Sequence, residues 1–596
     1  MRCSKRKNKS GVSALEALES RQMMSAAPLA VSFGSDGISM LSYKGTVLVD
    51  QAAKAGAGFW IPGVFTVVPN SASAAAAPAL AAASSPVGEI PGQNPTGSSW
   101  NADKKVLNFH YTWGRIKVRY TTEAKEIDMA ISVFNNTSDS TLNGLELMPL
   151  TLNFPTMPAG FNGGPQAAFG DQSPGVVVAN YGNGTIALVN EDVDRPLYTA
   201  YVCDPETATQ NQYMACISSA PIRGQPGSWP ILQEPIAAQA STTYHLALRF
   251  GGKAATAQKL AADVLAKYAA ANPDTVNWTN RNPIAYLTPA GSAPAGRSAT
   301  NPNGWFNDPT VDVTTPAGLA SFEKRLLAYA TASVGIMKTM GAQGVITWDL
   351  EGEQYPNADY IGDPRVATTL APELNYDDVV DQYFAIFRNA GLETGVTIRD
   401  AQFVDNNGDP FQVVLSNPQD EVNMLVSKIQ YAMQQWGCTL FYIDSTNWAS
   451  SPWVLQQVHQ QCPGTLLIPE NGNLGEYAVS APYGDVRNGA LGTPQLVKDI
   501  YPDAFSVINP AAGNLTQDIQ NSLVQSVLAG DILMFGGWTM QGNNEIIKSI
   551  YTEAAIIRTP VAGLGASSPF SSAPILAGDE TAAEILNIGT TLKMAA

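Results

Sequence analysis

Histidine is nearly absent: the 596 residues hold three, His110, His245 and His459. The first two fall in strand-like runs and the third on a predicted helix, so all three read as structural. That argues against Ser-His-Asp catalysis and against a histidine-ligated metal. The five cysteines form no CxxC pair and no Cys/His cluster, so a zinc site is not indicated. Cys203 and Cys216 lie close in one apparent loop or hairpin, and Cys438 and Cys462 each fall just before a predicted strand. Small buried thiols are the expectation over two disulfides. Charge is scarce at 14% of residues, and cations most of all: 34 Lys+Arg stand against 51 Asp+Glu, a formal net charge of -17. So acidic a surface repels phosphate backbones and makes nucleic acid an unexpected partner, whereas a neutral substrate meets no penalty. No run of about 18 apolar residues occurs, so no transmembrane segment is expected. No GxGxxG or GxxxxGK[ST] loop follows any candidate strand, which weakens nucleotide binding.

What the chain does have is a globular composition, 45% hydrophobic, and a length that calls for more than one domain. Residues 1–30 read as an export or sorting segment. Arg2, Lys5, Arg6, Lys7 and Lys9 make it basic, but the apolar core of an ordinary signal peptide is missing. Residues 31–251 read as a β-sandwich domain. Runs such as 106–113, 116–120, 127–134, 184–189 and 244–250 alternate apolar and polar residues between Asn, Gly, Ser and Pro clusters. Within that domain, residues 71–99 are Ala/Ser/Pro-rich without periodicity and read as a flexible insertion. Residues 252–280 carry a linker helix, with Leu260, Val264, Leu265 and Tyr268 at helical spacing.

From 281 to 596 short apolar strands alternate with helices, the pattern of a parallel sheet covered on both faces. Candidate strands are Ile284–Leu287, Gly344–Leu350, Thr394–Arg399, Thr439–Asp444, Thr465–Pro469, Phe505–Ile508 and Asp531–Phe535, with an eighth expected after Ile557. So many units favour a closed (β/α)8 TIM-type barrel followed by a C-terminal extension. The expected fold class is therefore multidomain, an N-terminal all-β, supersandwich-like sandwich followed by that barrel.

Barrel enzymes carry their chemistry at the C-terminal ends of the strands. In this chain those ends gather polar and aromatic residues. The second candidate strand ends in Trp348-Asp349-Leu350-Glu351 and the third in Arg399. The fourth runs Tyr442-Ile443-Asp444 and on to Asn447 and Trp448, and the fifth reaches Glu470. The sixth reaches Asn509 and the seventh Trp538. Glycoside hydrolysis needs two carboxyl groups flanking the scissile bond, and Asp444 and Glu470 end neighbouring strands. Burial and mutual repulsion should raise one pKa of the pair and prepare it as the acid, while Arg399 could hold the other ionised. Alternatively, Glu470 could pair with Arg399 as a structural bridge. Trp348, Tyr442, Trp448 and Trp538 offer flat faces to a sugar ring, and Asp349, Glu351, Arg399, Asn447 and Asn509 offer polar contacts. No metal or other cofactor is indicated, although Asp349, Glu351 and Asp444 could hold Mg2+ or Ca2+ in a metal-assisted hydrolase.

Two resemblances add to this reading. Leu18, Glu19, Arg21, Met24 and Ser25 resemble the LEPR-type motif of exported planctomycete proteins, with Ser20 in place of the usual proline. That implies a bacterial protein of the periplasm, cell surface or extracellular space. A sandwich, a linking helix and a barrel in that order look like several retaining α-glycosidase families. Asp444 resembles the nucleophile that the alpha-galactosidase-like and alpha-amylase-like superfamilies place after strand four. Glu470 stands where the alpha-amylase-like families put their acid/base, after strand five. Two departures follow from the strand count. The alpha-amylase-like Asp after strand seven is replaced by Gly536-Gly537-Trp538, and the alpha-galactosidase-like acid/base after strand six by Asn509. Residues 335–551 also resemble uncharacterised bacterial barrel proteins of glycosidase type. The expected function is hydrolysis of an oligo- or polysaccharide, with a non-catalytic carbohydrate-binding surface protein as the alternative. Sugar, linkage and oligomeric state stay open.

Overall fold

Alternating burial along the N-terminal runs shows what holds them in sheets. In Gly114–Thr122, Ile116, Val118 and Tyr120 are buried while Arg115 and Arg119 are exposed, the two-residue period of a strand with one wet face. The computed structural model describes residues 28–52, 67–69, 95–142, 146–155, 168–171, 175–195, 197–202, 212–218, 236–291, 296–352, 361–405, 410–415, 417–445, 452–470, 472 and 474–558. The sorting motif, Cys203, and Asn447 with Trp448 fall outside them. The chain divides into two units between Ala262 and Asp263, apart from Asp171, which belongs with the second.

The first unit contains antiparallel sheets. The largest has seven strands in the order Val176–Asn180, Gly184–Asn190, Ser241–Gly252, Glu126–Asn135, Gly114–Thr122, Val106–His110 and Gly97–Asn101. Each of the five alternating runs read from sequence contributes a strand to it, the first only as far as His110. Its last strand begins inside the stretch that composition assigns to the insertion, so residues 97–99 are strand. A four-stranded sheet and a three-stranded sheet accompany it. Helices Ala257–Leu260 and Ala262–Ala271 follow, and Val264, Leu265 and Tyr268 of the second are buried.

The second unit is built on eight parallel strands: β1 (Ile284–Leu287), β2 (Gly344–Thr347), β3 (Glu393–Arg399), β4 (Cys438–Asp444), β5 (Leu466–Pro469), β6 (Tyr483–Asp485), β7 (Val507–Asn509) and β8 (Ile532–Gly536). Their spatial order is β5-β4-β3-β2-β1-β8-β7-β6, a barrel nearly closed. On the open side between β5 and β6, the Ala481 amide donates to the Leu467 carbonyl at 2.9 Å. Helices α1 (Pro316–Met340), α2 (Val379–Asn389), α3 (Pro418–Trp436), α4 (Pro452–Gln461), α5 (Gln495–Ile500), α6 (Gln517–Ala529) and α7 (Asn543–Arg558) alternate with the strands. Local chemistry sets their limits. Thr315 and Asn417 cap α1 and α3 ahead of a proline at the first turn, and Gly341 and Gly437 end them at φ 66° and 65°.

The eighth strand is not beyond Ile557. It is β6, ahead of β7, and the chain through Ile557 belongs to α7. There Ile547, Ile550 and Ala554 are buried at helical spacing, while Ile556 and Ile557 face out. The two strands after β6 therefore each move up one place in the count.

Cys438 and Cys462 are free buried thiols, and burial pushes them up to about 12 and about 11. Among the described residues no helix is long and apolar enough to cross a membrane.

Candidate active site

Strand periodicity decides which residues can meet at the rim. Ile346, Leu440, Tyr442, Leu466, Ile468, Val507 and Met534 fill the barrel interior. The side chains two residues further along each strand continue on the same side where the core gives way to the rim. This brings Trp348, Asp444, Glu470 and Asn509 to the inner mouth, with Arg399 joined to them through Asp444.

Register then pairs them. Arg399 lies opposite Asp444 across β3 and β4, and its Nε donates to Asp444 Oδ2 at 2.7 Å. The Glu470 amide bonds to the Ile443 carbonyl at 3.0 Å, which sets Glu470 beside Asp444. Glu470 Oε2 accepts from the Ser445 amide at 2.8 Å, and its carboxyl shares a hydrogen bond with Asp444. Burial first, and then the Asp444 charge, push Glu470 up to about 7. Arg399 thus belongs to Asp444 rather than bridging to Glu470. Ser445 sits at φ 56°, a left-handed conformation that costs a non-glycine residue about 1–3 kcal/mol. This strain lies one residue past Asp444, where the Ser445 amide is aimed at Glu470.

Beside the carboxyl pair runs an aromatic belt. Trp348 packs against Tyr442 with ring centroids 4.3 Å apart and meets Tyr286 edge-on at 6.0 Å. Tyr286 meets Trp538 edge-on at 5.3 Å, and Tyr442 meets Tyr483 at 5.1 Å. Trp538 is 45% exposed, so it is a surface available for stacking rather than core. Replacing the exposed Trp538 by Ala should leave the melting temperature within a few degrees of wild type. A thermal melt checks it.

Asp349 and Glu351 are placed differently. Asp349 is buried at φ 52°, and its carbonyl accepts from the Gly352 amide at 2.9 Å, so it shapes the turn after β2. Glu351 is 2% exposed and takes the Gly362 amide on Oε1; burial pushes it up to about 6. The Gly362 segment is fastened to β3 from the other side. Gly362 O accepts from the Arg399 amide at 2.9 Å and from the buried Lys428 Nζ at 3.1 Å. Lys428 also donates to the carbonyls of Arg399 at 2.8 Å and Ala401 at 2.7 Å. Glu351 and Lys428 therefore hold the backbone that presents Arg399.

Sequence reasoning did not find Tyr286, Tyr483 or Asp485. Asn509 Nδ2 donates to the Tyr483 hydroxyl at 2.9 Å, and that hydroxyl donates to Asp485 Oδ2 at 3.0 Å. The Arg487 guanidinium bridges Asp485 at 2.6–3.0 Å. Because β6 is the true sixth strand, a carboxylate does follow strand six: Asp485 stands there, while Asn509 ends strand seven and Gly536-Gly537-Trp538 follows strand eight. Both family departures counted from sequence shift accordingly. Asp485 is 5% exposed and engaged by Arg487 and Tyr483.

Asp349, Glu351 and Asp444 do not gather around a common cation position. Among the described residues the carboxylates close enough to share one are Glu126, Asp128 and Glu191 in the first unit. There Arg249 already reaches Glu126 and Glu191 at 2.7 Å each.

No protein-family model and no curated protein sequence matches the chain. Among solved structures it is similar to a beta-arabinopyranosidase, at 9% identity and a TM-score of 0.36, over 88% of this chain and 83% of that one. It is similar to a GH31 family sulfoquinovosidase from E. rectale, at 7% identity and a TM-score of 0.41, over 88% and 82%. A third is the alpha-N-acetylgalactosaminidase NagBb from Bifidobacterium bifidum, at 8% identity and a TM-score of 0.38, over 78% and 92%. These structural neighbours are glycoside hydrolases.

Proposed function

We propose that this chain is an exported glycoside hydrolase, a supersandwich-like sandwich joined to a TIM-type barrel, cleaving an oligo- or polysaccharide with retention of anomeric configuration. The observation that carries the reading is one hydrogen-bonded carboxyl pair with unlike surroundings. Asp444 is held against the Arg399 guanidinium, while Glu470, hydrogen-bonded to Asp444, keeps its proton to about pH 7. A retaining hydrolase needs one carboxylate to attack and one protonated carboxyl to assist departure.

In the first step an Asp444 oxygen bonds to the anomeric carbon as the glycosidic C–O bond breaks, and Glu470 gives its proton to the leaving oxygen. In the second, Glu470 as carboxylate takes a proton from water, the water oxygen bonds to the anomeric carbon, and Asp444 departs. The sugar replaces the direct hydrogen bond between the two carboxyls. Neighbouring strands lie about 4.8 Å apart, so once the sugar parts the hydrogen-bonded carboxyls they can take the roughly 5–5.5 Å separation of retaining enzymes. Trp348 and Trp538 would take the apolar face of the ring, and Asn509 with Arg399 its hydroxyls. The proton NMR spectrum of the first-formed sugar tests the mechanism: the substrate's own anomer is expected, and the opposite anomer would exclude Asp444 as nucleophile.

The Glu470 shift fixes a pH dependence. Because the acid must be protonated, kcat/KM should fall as pH rises through about 7. Stability carries the same sign. With its folded pKa raised above the unfolded value, Glu470 binds more proton in the folded state, so its contribution is present at low pH and lost as pH rises through about 7. Replacing Glu470 by Gln should therefore raise the melting temperature relative to wild type more at pH 8 than at pH 5. Equal shifts at the two pH values would show that Glu470 does not titrate between them.

A further inference from the structure

The outer face of the first unit's large sheet carries a feature at odds with the charge of the chain. Arg115, Lys117 and Arg119 alternate along Gly114–Thr122 and point to the same, wet side. Their cations recur about every 6.8 Å, twice the rise of an antiparallel strand. With Asn101, Lys104 and Asn108 they line an open depression of about 280 Å³. Asn108 lies directly across from Lys117. Several guanidinium groups elsewhere are neutralised, Arg249 by Glu126 and Glu191, Arg399 by Asp444 and Arg487 by Asp485. Among the described residues no carboxylate forms an ion pair with Arg115, Lys117 or Arg119. In a chain of net charge -17, a row of unpaired cations is retained against the prevailing balance.

We propose that this face binds an anionic polysaccharide, a linear glycan bearing carboxylate or sulfate groups. A row of cations along an extended strand matches acid groups recurring along an extended polymer, with the guanidinium forks taking the planar or branched oxyanions. The flanking Asn101 and Asn108 amides suit the hydroxyls between them. Nucleic acid is the other linear polyanion, but single strands bind through bases stacked on aromatic rings. The ring across from Arg115, Phe134, is already covered by that guanidinium at 4.2 Å. The inference deepens the glycosidase reading by giving the substrate a charge, and it rests on that reading only for the link between binding and cleavage.

The test uses the full chain in affinity electrophoresis through gels containing dextran sulfate, polygalacturonate or neutral dextran, with single-stranded and duplex DNA as competitors. Retardation by at least one anionic glycan and not by neutral dextran is expected, reversed by added salt. Which polymer retards tells sulfate from carboxylate. The triple variant Arg115→Gln/Lys117→Gln/Arg119→Gln should bind at least tenfold more weakly, with a melting temperature that certifies its fold. Retardation equal in variant and wild type, no retardation by either anionic polymer, or displacement by DNA at lower concentration than by glycan would each overturn the proposal. Binding without hydrolysis would instead count against the barrel chemistry alone, so the two readings fail separately.

Discussion

Replacing Asp444 by Asn is expected to lower kcat/KM for glycoside hydrolysis by about 10⁴-fold or more, because under the proposed mechanism Asp444 is the attacking carboxylate, held beside Glu470 by the Arg399 guanidinium. Its hydrogen-bonded neighbour Glu470 keeps its proton to about pH 7 and cannot take over the attack below that pH. Asp485 is sequestered by Arg487 and Tyr483. The companion change, Glu470→Gln, should cost about 10²–10⁴-fold on unactivated glycosides and far less on aryl glycosides, whose leaving groups depart without a proton. That split is diagnostic. A nucleophile variant loses both substrates alike, whereas an acid variant loses the poor leaving group selectively. Initial rates on one alkyl and one aryl glycoside of the same sugar separate the two roles.

Replacing Lys428 by Met is expected to lower the free energy of unfolding by about 3–5 kcal/mol, as the loss of one partner from a buried charged network does. The ammonium is fully buried and satisfies three carbonyls, those of Gly362, Arg399 and Ala401, with Asp363 Oδ2 at 3.9 Å. Methionine fills the volume but donates nothing: the Gly362 oxygen keeps the Arg399 amide, whereas the Arg399 and Ala401 oxygens lose the ammonium, at about 1–3 kcal/mol each when unsatisfied. Because two of those carbonyls flank Arg399, activity should fall along with stability even at temperatures where the variant is folded. A urea titration followed by tryptophan fluorescence gives the first quantity. A loss of activity no greater than the unfolded fraction would show that Lys428 does not position Arg399.

Sequence showed most clearly what local rules decide. Helices α1, α3 and α6 announce themselves by a Thr or Asn cap and a closing glycine. Strands β1, β4 and β5 are apolar runs with no competing periodicity. Asp444 and Glu470 were legible because each is the first ionisable residue after such a run. Strand β6 was not legible: Tyr483-Gly484-Asp485 has three residues, lies between Pro482 and a 3-10 turn, and gains its strand geometry only from pairing with β7. Missing it concealed Asp485 and shifted the strand count by one. The partner of Arg399 depended on the β3–β4 register, which no spacing along the chain encodes. Glu351 and Lys428 carry no local signal of burial, because a carboxylate after a strand and a lysine on a helix are ordinarily solvated. Only the packing of the Gly362 segment against β3 turns them into supports.

The most direct measurement is the hydrolysis of aryl α- and β-glycosides of the common pentoses, hexoses and deoxyhexoses by the purified full chain, with Asp444→Asn alongside. Cleavage of at least one anomer by wild type, abolished in Asp444→Asn while the variant keeps a cooperative melt, is the predicted result. Cleavage that persists in the folded variant, or none with any sugar of either configuration, would contradict Asp444 as the nucleophile of a retaining glycosidase.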